Sequence, residues 1–294
     1  MEHSQNSETT LFIINPVSGT KQAVLFETGT LFREHSFFPD IYITKPDLKE
    51  LKSYIADKNY KTAIIYGGDG TLTEVAKILW NHNPTITILP LPGGTMNVFH
   101  KSLKLDSNYL TNLKHFLEGR LNITPRHFLQ VNNMLSLLSV SFGHITEAII
   151  QTKRSEKNTL GNAAYFANII KSFGTNGTNF KLTTNIHTKT VQFKASNILI
   201  SLYGFDVLGI AKNLLFDSVP EGTFAFVYSD FENTTSQLEP DQSTGPLHAA
   251  FLKSVTLKAE EETIINIDDT EHKMKEVNVS IIDDPINFLE NLNY

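Results

Sequence analysis

A run of three glycines around one aspartate is the part of the sequence best suited to chemistry. It reads Gly67-Gly68-Asp69-Gly70-Thr71 and stands between a candidate strand that ends at Tyr66 and a segment with helical periodicity. Glycines let backbone N–H groups approach a ligand, and a helix start carries partial positive charge, so this turn suits a phosphate group. Thr71 can cap the helix or donate to a phosphate oxygen, and Asp69 can approach a phosphate-bound Mg²⁺. The alternative is a tight strand-to-helix turn without a ligand. It is not a Walker motif, because no Gly-Lys-Ser/Thr follows.

Two further turns follow candidate strands in the same half of the sequence. One is Pro92-Gly93-Gly94-Thr95-Met96-Asn97, and the other is Asn15 to Lys21. Parallel strands place such turns at one edge of a sheet, where α/β folds bind ligands. Thr95 and Asn97 would otherwise serve only as a helix cap, and Lys21 would either approach phosphates or stay solvated.

The elements that must position these turns alternate between apolar runs and helical segments from Leu11 to about Gly119. This pattern predicts parallel strands joined by crossover helices, with strands at 11–14, 40–43, 63–66 and 85–89. Apolar residues at helical spacing predict the buried faces of two helices: Leu48, Leu51 and Ile55 in one, and Leu72, Val75, Ala76 and Leu79 in the other.

Beyond Leu121 the sequence is rich in β-prone stretches, which are typical of a mostly antiparallel domain. A helical insertion is predicted near 160–173. We therefore expect an N-terminal open α/β domain at 1–121 and a mostly antiparallel domain at 122–294. The last segment of the chain is a candidate to pack back on the first domain.

Composition excludes several classes of protein. The chain has 25 basic and 31 acidic residues and a net charge of −6, which argues against binding to nucleic acid. It has no cysteine, so disulfides, zinc-thiolate sites and cysteine nucleophiles are excluded, and a reducing cytoplasm fits. No run of about 18 apolar residues occurs, and the first ten residues do not resemble a signal peptide. We expect a cytoplasmic protein with at most peripheral membrane contact.

The three turns together resemble the catalytic domain of the diacylglycerol kinase family, especially the bacterial soluble lipid kinases. The resemblance rests on Asn15-Pro16-Val17-Ser18-Gly19, on Gly67 to Val75 and on Gly93 to Asn97. Leu160-Gly161 followed by Tyr165 looks like a helix of the family's second domain. The resemblance implies a nucleotide domain of α/β type and a lipid domain of β-sandwich type. It also implies transfer of the γ-phosphoryl group of ATP to a diacylglycerol-like acceptor at the inner face of the membrane.

Carried over to this sequence, the resemblance implies nucleotide contacts from the three turns and from the end of the second strand. These residues are Asn15, Thr44, Gly67, Gly68, Asp69, Gly70, Thr71, Leu72, Thr73, Gly94, Thr95 and Asn97. It also implies a Mg²⁺ site on Ser218, Glu221 and Thr223, with Glu221 where the family has aspartate. The alternative for that segment is a plain β-turn.

The catalytic base of the family lies in an Asp-Gly-Glu motif near the C-terminus, and the matching region is Ile267-Asp268-Asp269-Thr270-Glu271. The Asp-x-Glu spacing makes Glu271 the predicted base and Asp269 the carboxylate that orients it, with Asp69 as a further catalytic candidate. An ungapped alignment would instead put Asp268 first and Thr270 at the base. An acidic hairpin tip without chemistry is the third interpretation.

Two other functions stay open at this point. Thr270 in place of glycine and Glu221 in place of aspartate favour a catalytically weak or inactive relative that binds nucleotide or lipid. An NAD kinase shares the Gly-Gly-Asp-Gly-Thr loop, but the Asn15–Gly19 turn favours the lipid enzymes. The expected partners are ATP and a lipid at a membrane surface, with Lys153, Arg154 and Lys157 as candidate contacts to anionic headgroups. A homodimer is compatible with the sequence.

Overall fold

The chain divides into two compact units. The computed structural model describes residues 9–19, 23–45, 47–94, 97–143, 180–186, 189–195, 197–204, 216, 218–229, 241–244, 247–268 and 270–291. One unit contains the chain up to Arg126 and resumes at Asp284, and the other is His127–Asp283. We predicted a boundary between residues 121 and 122, with the last segment as a candidate to pack on the first domain. The compact units divide after Arg126 and before Asp284, because the strand at 286–290 pairs with the strands at 87–92 and 122–126.

Strands and helices alternate in the first unit, and strands alone are described in the second. The first unit contains β1 Thr10–Ile14, α1 Ala23–Glu34, β2 Asp40–Ile43, α2 Lys49–Ile55, β3 Thr62–Gly67, α3 Asp69–His82, β4 Thr87–Pro92, α4 Val98–Ser102, α5 Tyr109–Leu117, β5 Asn122–Arg126 and β17 Ile286–Glu290. The second contains β6 Leu129–Val131, β7 Met134–Ser136, β8 Ser139–Gly143, β9 Phe180–Ile186, β10 Lys189–Ala195, β11 Asn197–Ser201, β12 Phe224–Ser229, β13 Gln242–Thr244, β14 Leu247–Leu252, β15 Ser254–Ile267 and β16 Thr270–Ile281.

The first unit is an open sheet of six strands in the order β2-β1-β3-β4-β17-β5. All neighbours are parallel except β5, which runs antiparallel to β17. Because β1, β3 and β4 are adjacent and parallel, the turns that follow them must meet at one edge of the sheet. This confirms the predicted α/β class.

The two helical faces predicted from apolar spacing are buried in the structure. Leu51 and Ile55 of α2 are buried, and so are the four apolar residues of α3, which packs on β3. Leu48, also predicted in the first face, is the half-buried residue that precedes α2. The prediction for the fourth strand was wrong in its limits, because β4 runs from Thr87 through Pro92 instead of ending at Leu89. Prolines are tolerated there because β17 pairs with β4 only at Thr87 and Ile88, so the strand beyond has no ladder on that side.

The second unit is an antiparallel sheet, as predicted. Its strand order is β13-β14-β12-β11-β8-β15-β16-β6-β7, and β9 pairs with β10 and β15. The long strand β15 shifts its register between Lys258 and Thr263. Its first half pairs with β9 and its last residues pair with β8, so this irregularity separates two parts of the sheet. Alternate residues of these strands, such as Ile265 and Ile267, form one apolar core.

Some predictions fall on residues outside the described ranges. They concern Lys21, Thr95, Asp269, the basic cluster at 153–157 and the helical insertion near 160–173. Among the described helices, none has the length and hydropathy needed to cross a membrane.

Candidate functional site

The turns after β1, β3 and β4 lie side by side at the carboxyl edge of the parallel strands. The backbone N–H of Asn15 donates to the carbonyl of Tyr66 at 2.9 Å, and the N–H of Gly93 donates to the carbonyl of Gly67 at 2.9 Å. The Cα atoms of Gly68 and Gly94 approach so closely that a Cβ added to Gly94 would lie 2.7 Å from Gly68 Cα. The structure therefore brings the three sequence motifs into one cluster.

Close packing between the turns requires several of their glycines. Gly19 has a φ of +61°, and a Cβ there would lie 2.3 Å from the hydroxyl of Tyr66. A Cβ on Gly67 would lie 2.8 Å from the side chain of Thr71. Contacts below 3.0 Å to backbone or to a buried ring force the neighbouring turn to move. These glycines thus have a packing role that is independent of any ligand.

Asn15 connects the first turn to the start of α3. Its Nδ2 donates to Thr71 Oγ1 at 2.7 Å, and its Oδ1 accepts from the backbone N–H of Val17 at 3.0 Å. A hydroxyl that accepts from an amide keeps its own proton for another acceptor. Thr71 is thereby oriented at the N-terminus of a helix of 14 residues, where the helix favours negative charge.

Asp69 has a structural role that the sequence did not predict. Both of its carboxylate oxygens accept backbone N–H groups of α4: Oδ2 from Val98 at 2.9 Å and Oδ1 from Phe99 at 3.1 Å. The carboxylate therefore caps α4 and attaches the third turn to the second. Contact of Asp69 with a metal ion or with reacting groups stays a prediction.

Asn97 closes the third turn upon itself. It adopts a left-handed conformation with a φ of 47°, which Asn accepts more readily than most residues. Its Oδ1 accepts from the N–H of Gly94 at 3.0 Å, and its Nδ2 donates to the carbonyl of Gly94 at 2.7 Å. The amide of Asn97 is thus used to shape the turn.

The remaining predicted nucleotide contacts differ in exposure. Gly70 is partly exposed in the first turn of α3, whereas Leu72 and Thr73 are buried in the same helix. Thr44 is also buried, and its backbone N–H donates to the carbonyl of Ile14 at 2.8 Å. The side chains of Leu72 and Thr73 therefore belong to the packed face of α3.

A buried histidine lies directly after the third turn. His100 of α4 is 4% exposed, and its Nε2 lies 3.1 Å from Nδ2 of the fully buried Asn112. Burial lowers the pKa of His100 to about 4. Because Asn112 also bonds the backbone N–H and carbonyl of Asp106, this polar cluster holds α4 and α5 together with its hydrogen bonds satisfied.

In the second unit, Ile267 at the end of β15 pairs with Thr270 at the start of β16, and Asp268 directly follows β15. Asp268 has a φ of 52° and is 9% exposed. Because β16 begins at Thr270, Glu271 already lies on that strand, where it pairs with Asn266 of β15 and is exposed.

The carboxylate of Asp268 is held by the segment between β7 and β8. Its Oδ1 accepts from Ser136 Oγ at 2.6 Å and from the N–H groups of Leu138 and Ser139 at 2.8 and 3.2 Å. Its Oδ2 accepts from the N–H of Leu137 at 3.2 Å. Four donors on one buried carboxylate make Asp268 an anchor for the hairpin tip. Nothing in the sequence pointed to these partners, which lie some 130 positions away in the chain.

Sequence reasoning also missed Asn266. This residue is 1% exposed, and within the described part of the chain neither its Nδ2 nor its Oδ1 has a hydrogen-bond partner. A signal for it was present, because Asn266 is the polar residue in the otherwise apolar run Ile264-Ile265-Asn266-Ile267.

The predicted magnesium segment forms a β-turn. The N–H of Thr223 donates to the carbonyl of Pro220 at 3.1 Å, and Gly222 has a φ of +69°, as in a type II turn. The hydroxyl of Thr223 donates to the same carbonyl at 2.7 Å, while Ser218 and Glu221 are exposed. Mg²⁺ keeps several of its own waters in proteins and binds through one or two carboxylates, and Glu221 is the carboxylate that this segment offers it. A magnesium site on Ser218, Glu221 and Thr223 stays a prediction, and no group of three or more His, Asp or Glu that could hold a metal ion occurs among the residues described.

Comparison with known families assigns the segment that carries the three turns. Residues 9–124 match the family model of the diacylglycerol kinase catalytic domain. The matched segment contains all three turns. The resemblance of the turns to the diacylglycerol kinases is thereby confirmed.

Curated proteins that match 62% of the chain bear names of a similar kind. A protein of Staphylococcus aureus strain JH9 that bears the provisional name of a lipid kinase is 26% identical over 187 residues, or 62% of this chain. A protein of strain N315 with a similar name matches equally. The chain spans 60% of the length of these curated relatives in the match.

Two solved structures share the fold over almost the full length. One is a diacylglycerol kinase from Bacillus anthracis strain Sterne, with a TM-score of 0.74, 19% identity, and coverage of 97% of this chain and 98% of that one. The other, from the same organism, has a TM-score of 0.75, 18% identity, and coverage of 99% and 100%. Together they confirm the diacylglycerol kinase-like architecture of an α/β unit followed by an antiparallel β unit.

Proposed function

We propose that the protein is an ATP-dependent lipid kinase that transfers the γ-phosphoryl group of ATP to a hydroxyl of a diacylglycerol-like lipid. The observation that carries this proposal is the cluster of three turns at the carboxyl edge of the sheet, within the segment of the diacylglycerol kinase catalytic domain. Both the family and the position of the turns support phosphate binding there.

The turns offer phosphate groups two kinds of donor. The first turn of α3 has backbone N–H groups that need partners outside the helix, and the adjacent glycines let a ligand come close. Thr71, held by Asn15, supplies a hydroxyl proton at the same place. Mg²⁺ that arrives with ATP would neutralise phosphate charge, and a contact of this ion with the Ser218–Thr223 turn stays a prediction.

On the acceptor side we assign Glu271 as general base. Its carboxylate is exposed on β16, so a lipid hydroxyl can reach it. Glu271 takes the hydroxyl proton while the hydroxyl oxygen forms its bond to the γ-phosphorus, and the bond from that phosphorus to the β–γ bridging oxygen breaks to leave ADP. Asp268 positions the hairpin tip through its four hydrogen bonds instead of taking the proton. For Asp269, the orienting role stays a prediction.

The decisive experiment incubates the purified protein with γ-labelled ATP and a panel of diacylglycerol, phosphatidylglycerol, a sphingoid base and NAD. We expect label in the lipid phase with diacylglycerol. Label in NAD would establish the NAD kinase alternative. ATP binding without transfer to any of the four would favour the inactive relative, an alternative supported by the use of Asp69 and Asp268 as hydrogen-bond acceptors for backbone groups.

The role of Glu271 is tested by replacing it with glutamine, which keeps its shape and cannot take a proton. Glu271→Gln should lower turnover by about 10² to 10⁴ with little change in the KM for ATP. The matched control is Glu262→Gln, an exposed glutamate on the same hairpin, which should retain wild-type turnover. Equal turnover of the two variants would show that Glu271 is not the base.

Cytoplasmic location, peripheral contact with a membrane that holds the acceptor, and a homodimer belong to the same proposal. Flotation of the purified protein with lipid vesicles and its mass in solution would test the last two.

A further inference from the structure

One row of side chains crosses the second unit on the face opposite its apolar core. Asn266 of β15 pairs directly with Ser141 of β8 on one side and with Glu271 of β16 on the other. Ser141 in turn pairs with Leu199 of β11. Directly paired residues of antiparallel strands have their Cβ atoms about 4.5–5.5 Å apart on the same face of the sheet. Asn266 is therefore the immediate neighbour of the proposed base.

The amide of Asn266 differs from that of another fully buried asparagine. Asn112 of the first unit uses its amide for the N–H and carbonyl of Asp106 and for His100. Asn266 is similarly buried at 1% exposure, yet within the described residues both ends of its amide lack a hydrogen-bond partner. Native proteins satisfy most buried polar groups, so an asparagine left in this state beside Glu271 calls for a ligand that pairs with it.

The chemistry of the amide defines that ligand. Oδ1 accepts one hydrogen bond and Nδ2 donates one, and a single hydroxyl group can do the reverse of both. An apolar ligand would leave both atoms unpaired, and a phosphate or carboxylate would pair only with Nδ2. A water molecule or a neutral alcohol is complementary to both atoms, and of these two the lipid acceptor carries the alcohol.

From this juxtaposition we infer that Asn266 binds the free hydroxyl of the lipid acceptor and holds it beside Glu271. The inference rests on the proposed lipid kinase function, because it names the residue that selects an alcohol as the group to be phosphorylated. Asn266 is a binding residue in this assignment, while the proton goes to Glu271.

The test compares Asn266→Leu with Asn112→Leu, since leucine has nearly the shape of asparagine without its polar atoms. Thermal unfolding is measured for both variants, with and without 1,2-dioctanoylglycerol in detergent micelles. The same lipid with its hydroxyl acetylated serves as the ligand control. Steady-state kinetics then give the KM for dioctanoylglycerol and for ATP.

We expect Asn266→Leu to melt at or above the wild-type temperature, because it removes an unsatisfied amide, whereas Asn112→Leu should melt several degrees lower. The KM of Asn266→Leu for dioctanoylglycerol should rise at least about tenfold with an unchanged KM for ATP, since a site built to pair with a hydroxyl loses that pair. Dioctanoylglycerol, but not its acetylated form, should raise the melting temperature of the wild type and fail to do so in Asn266→Leu.

Two results would overturn the inference: a melting temperature of Asn266→Leu as low as that of Asn112→Leu, which would mean a structural partner, or an unchanged KM for the lipid. If the wild type phosphorylates no lipid, the proposed function fails, and the thermal shifts alone then test whether Asn266 binds the lipid hydroxyl. A shift by dioctanoylglycerol that is lost in Asn266→Leu would then support the hydroxyl site, and equal shifts or none would refute it.

Discussion

Replacing Asp268 by asparagine changes a single atom of the side chain and should destabilise the second unit. Among the hydrogen bonds to described residues, the carboxylate accepts three at Oδ1 and one at Oδ2. An amide has only one oxygen, which is best placed facing the three donors, so its NH₂ group then faces the N–H of Leu137. That N–H loses its acceptor, which costs about 1–3 kcal/mol when the group is buried.

The other three bonds also weaken, because hydrogen bonds to an ionised acceptor are roughly twice as strong as those to a neutral one. The neutral amide is easier to bury than the carboxylate, which offsets part of the loss. We expect a net destabilisation of about 2–3 kcal/mol, or roughly 5–10 °C in melting temperature for a unit of this size.

The assay must report on the second unit. Trp80 is the single tryptophan and lies in α3 of the first unit, so its fluorescence does not follow the β15–β16 hairpin. Circular dichroism of the β signal and hydrogen exchange of the backbone N–H groups of 137–139 do follow it. We expect Asp268→Asn to lower the dichroism midpoint and to speed that exchange.

The control is Asp283→Asn, since Asp283 is exposed and its change should stay within about 0.5 kcal/mol of the wild type. An equally small effect for Asp268→Asn would refute the anchoring role of that carboxylate. The result also affects any activity measurement, because turnover of Asp268→Asn identifies a catalytic loss only at temperatures where the variant is folded.

Three further predictions concern the first unit. Asp69→Ala removes the acceptor of two N–H groups at the start of α4. Thermal unfolding should show a loss of about 1–2 kcal/mol of stability. An unchanged melting temperature would contradict the role of Asp69 as the cap of α4. Gly94→Ala puts a Cβ 2.7 Å from Gly68 Cα, so the two turns must separate. In calorimetry this variant should lose about 1–3 kcal/mol of stability and also bind ATP more weakly. Weaker ATP binding with unchanged stability would show that the glycine serves the ligand alone. Burial holds the pKa of His100 at about 4, below its ordinary 6.5. The folded protein therefore has its full stability above pH 6.5, where the ring is neutral in both the folded and the unfolded state. As the pH falls from 6.5 to 4, the unfolded state takes up a proton first, and about 3 kcal/mol of stability is lost. Urea unfolding across this pH range should show a slope that His100→Gln removes and that the exposed His82→Gln keeps.

Local patterns were enough to predict much of the first unit. The spacing of Leu72, Val75 and Leu79 defines a helix face whatever lies opposite, and the glycine turns follow directly from the strands before them. The end of β4 was harder to predict. Proline is normally read as a strand breaker, and only the short pairing with β17 makes Pro90 and Pro92 acceptable in that strand.

Long-range pairing accounts for what the sequence did not reveal. Asp268 looked like one of several acidic residues at a hairpin tip, because its partners come from residues 136–139. The buried state of Asn266 likewise depends on strands that are distant in sequence. For Glu271, position on the strand is known from the structure, and its role as base stays a prediction.

The place of β17 in the first sheet has a consequence for the order of folding. The ribosome synthesises β17 after residues 127–283, whereas it synthesises β4 and β5 before them. In the folded sheet, β17 nevertheless lies between β4 and β5. During synthesis, the facing edges of β4 and β5 therefore stay unpaired until residues 286–290 have emerged from the ribosome. Closing so long a loop is slow unless the inserted unit has already folded and shortened the distance between its ends. A nascent chain arrested before 286 should therefore expose two strand edges and be cut by protease within the first unit, whereas the released chain should resist.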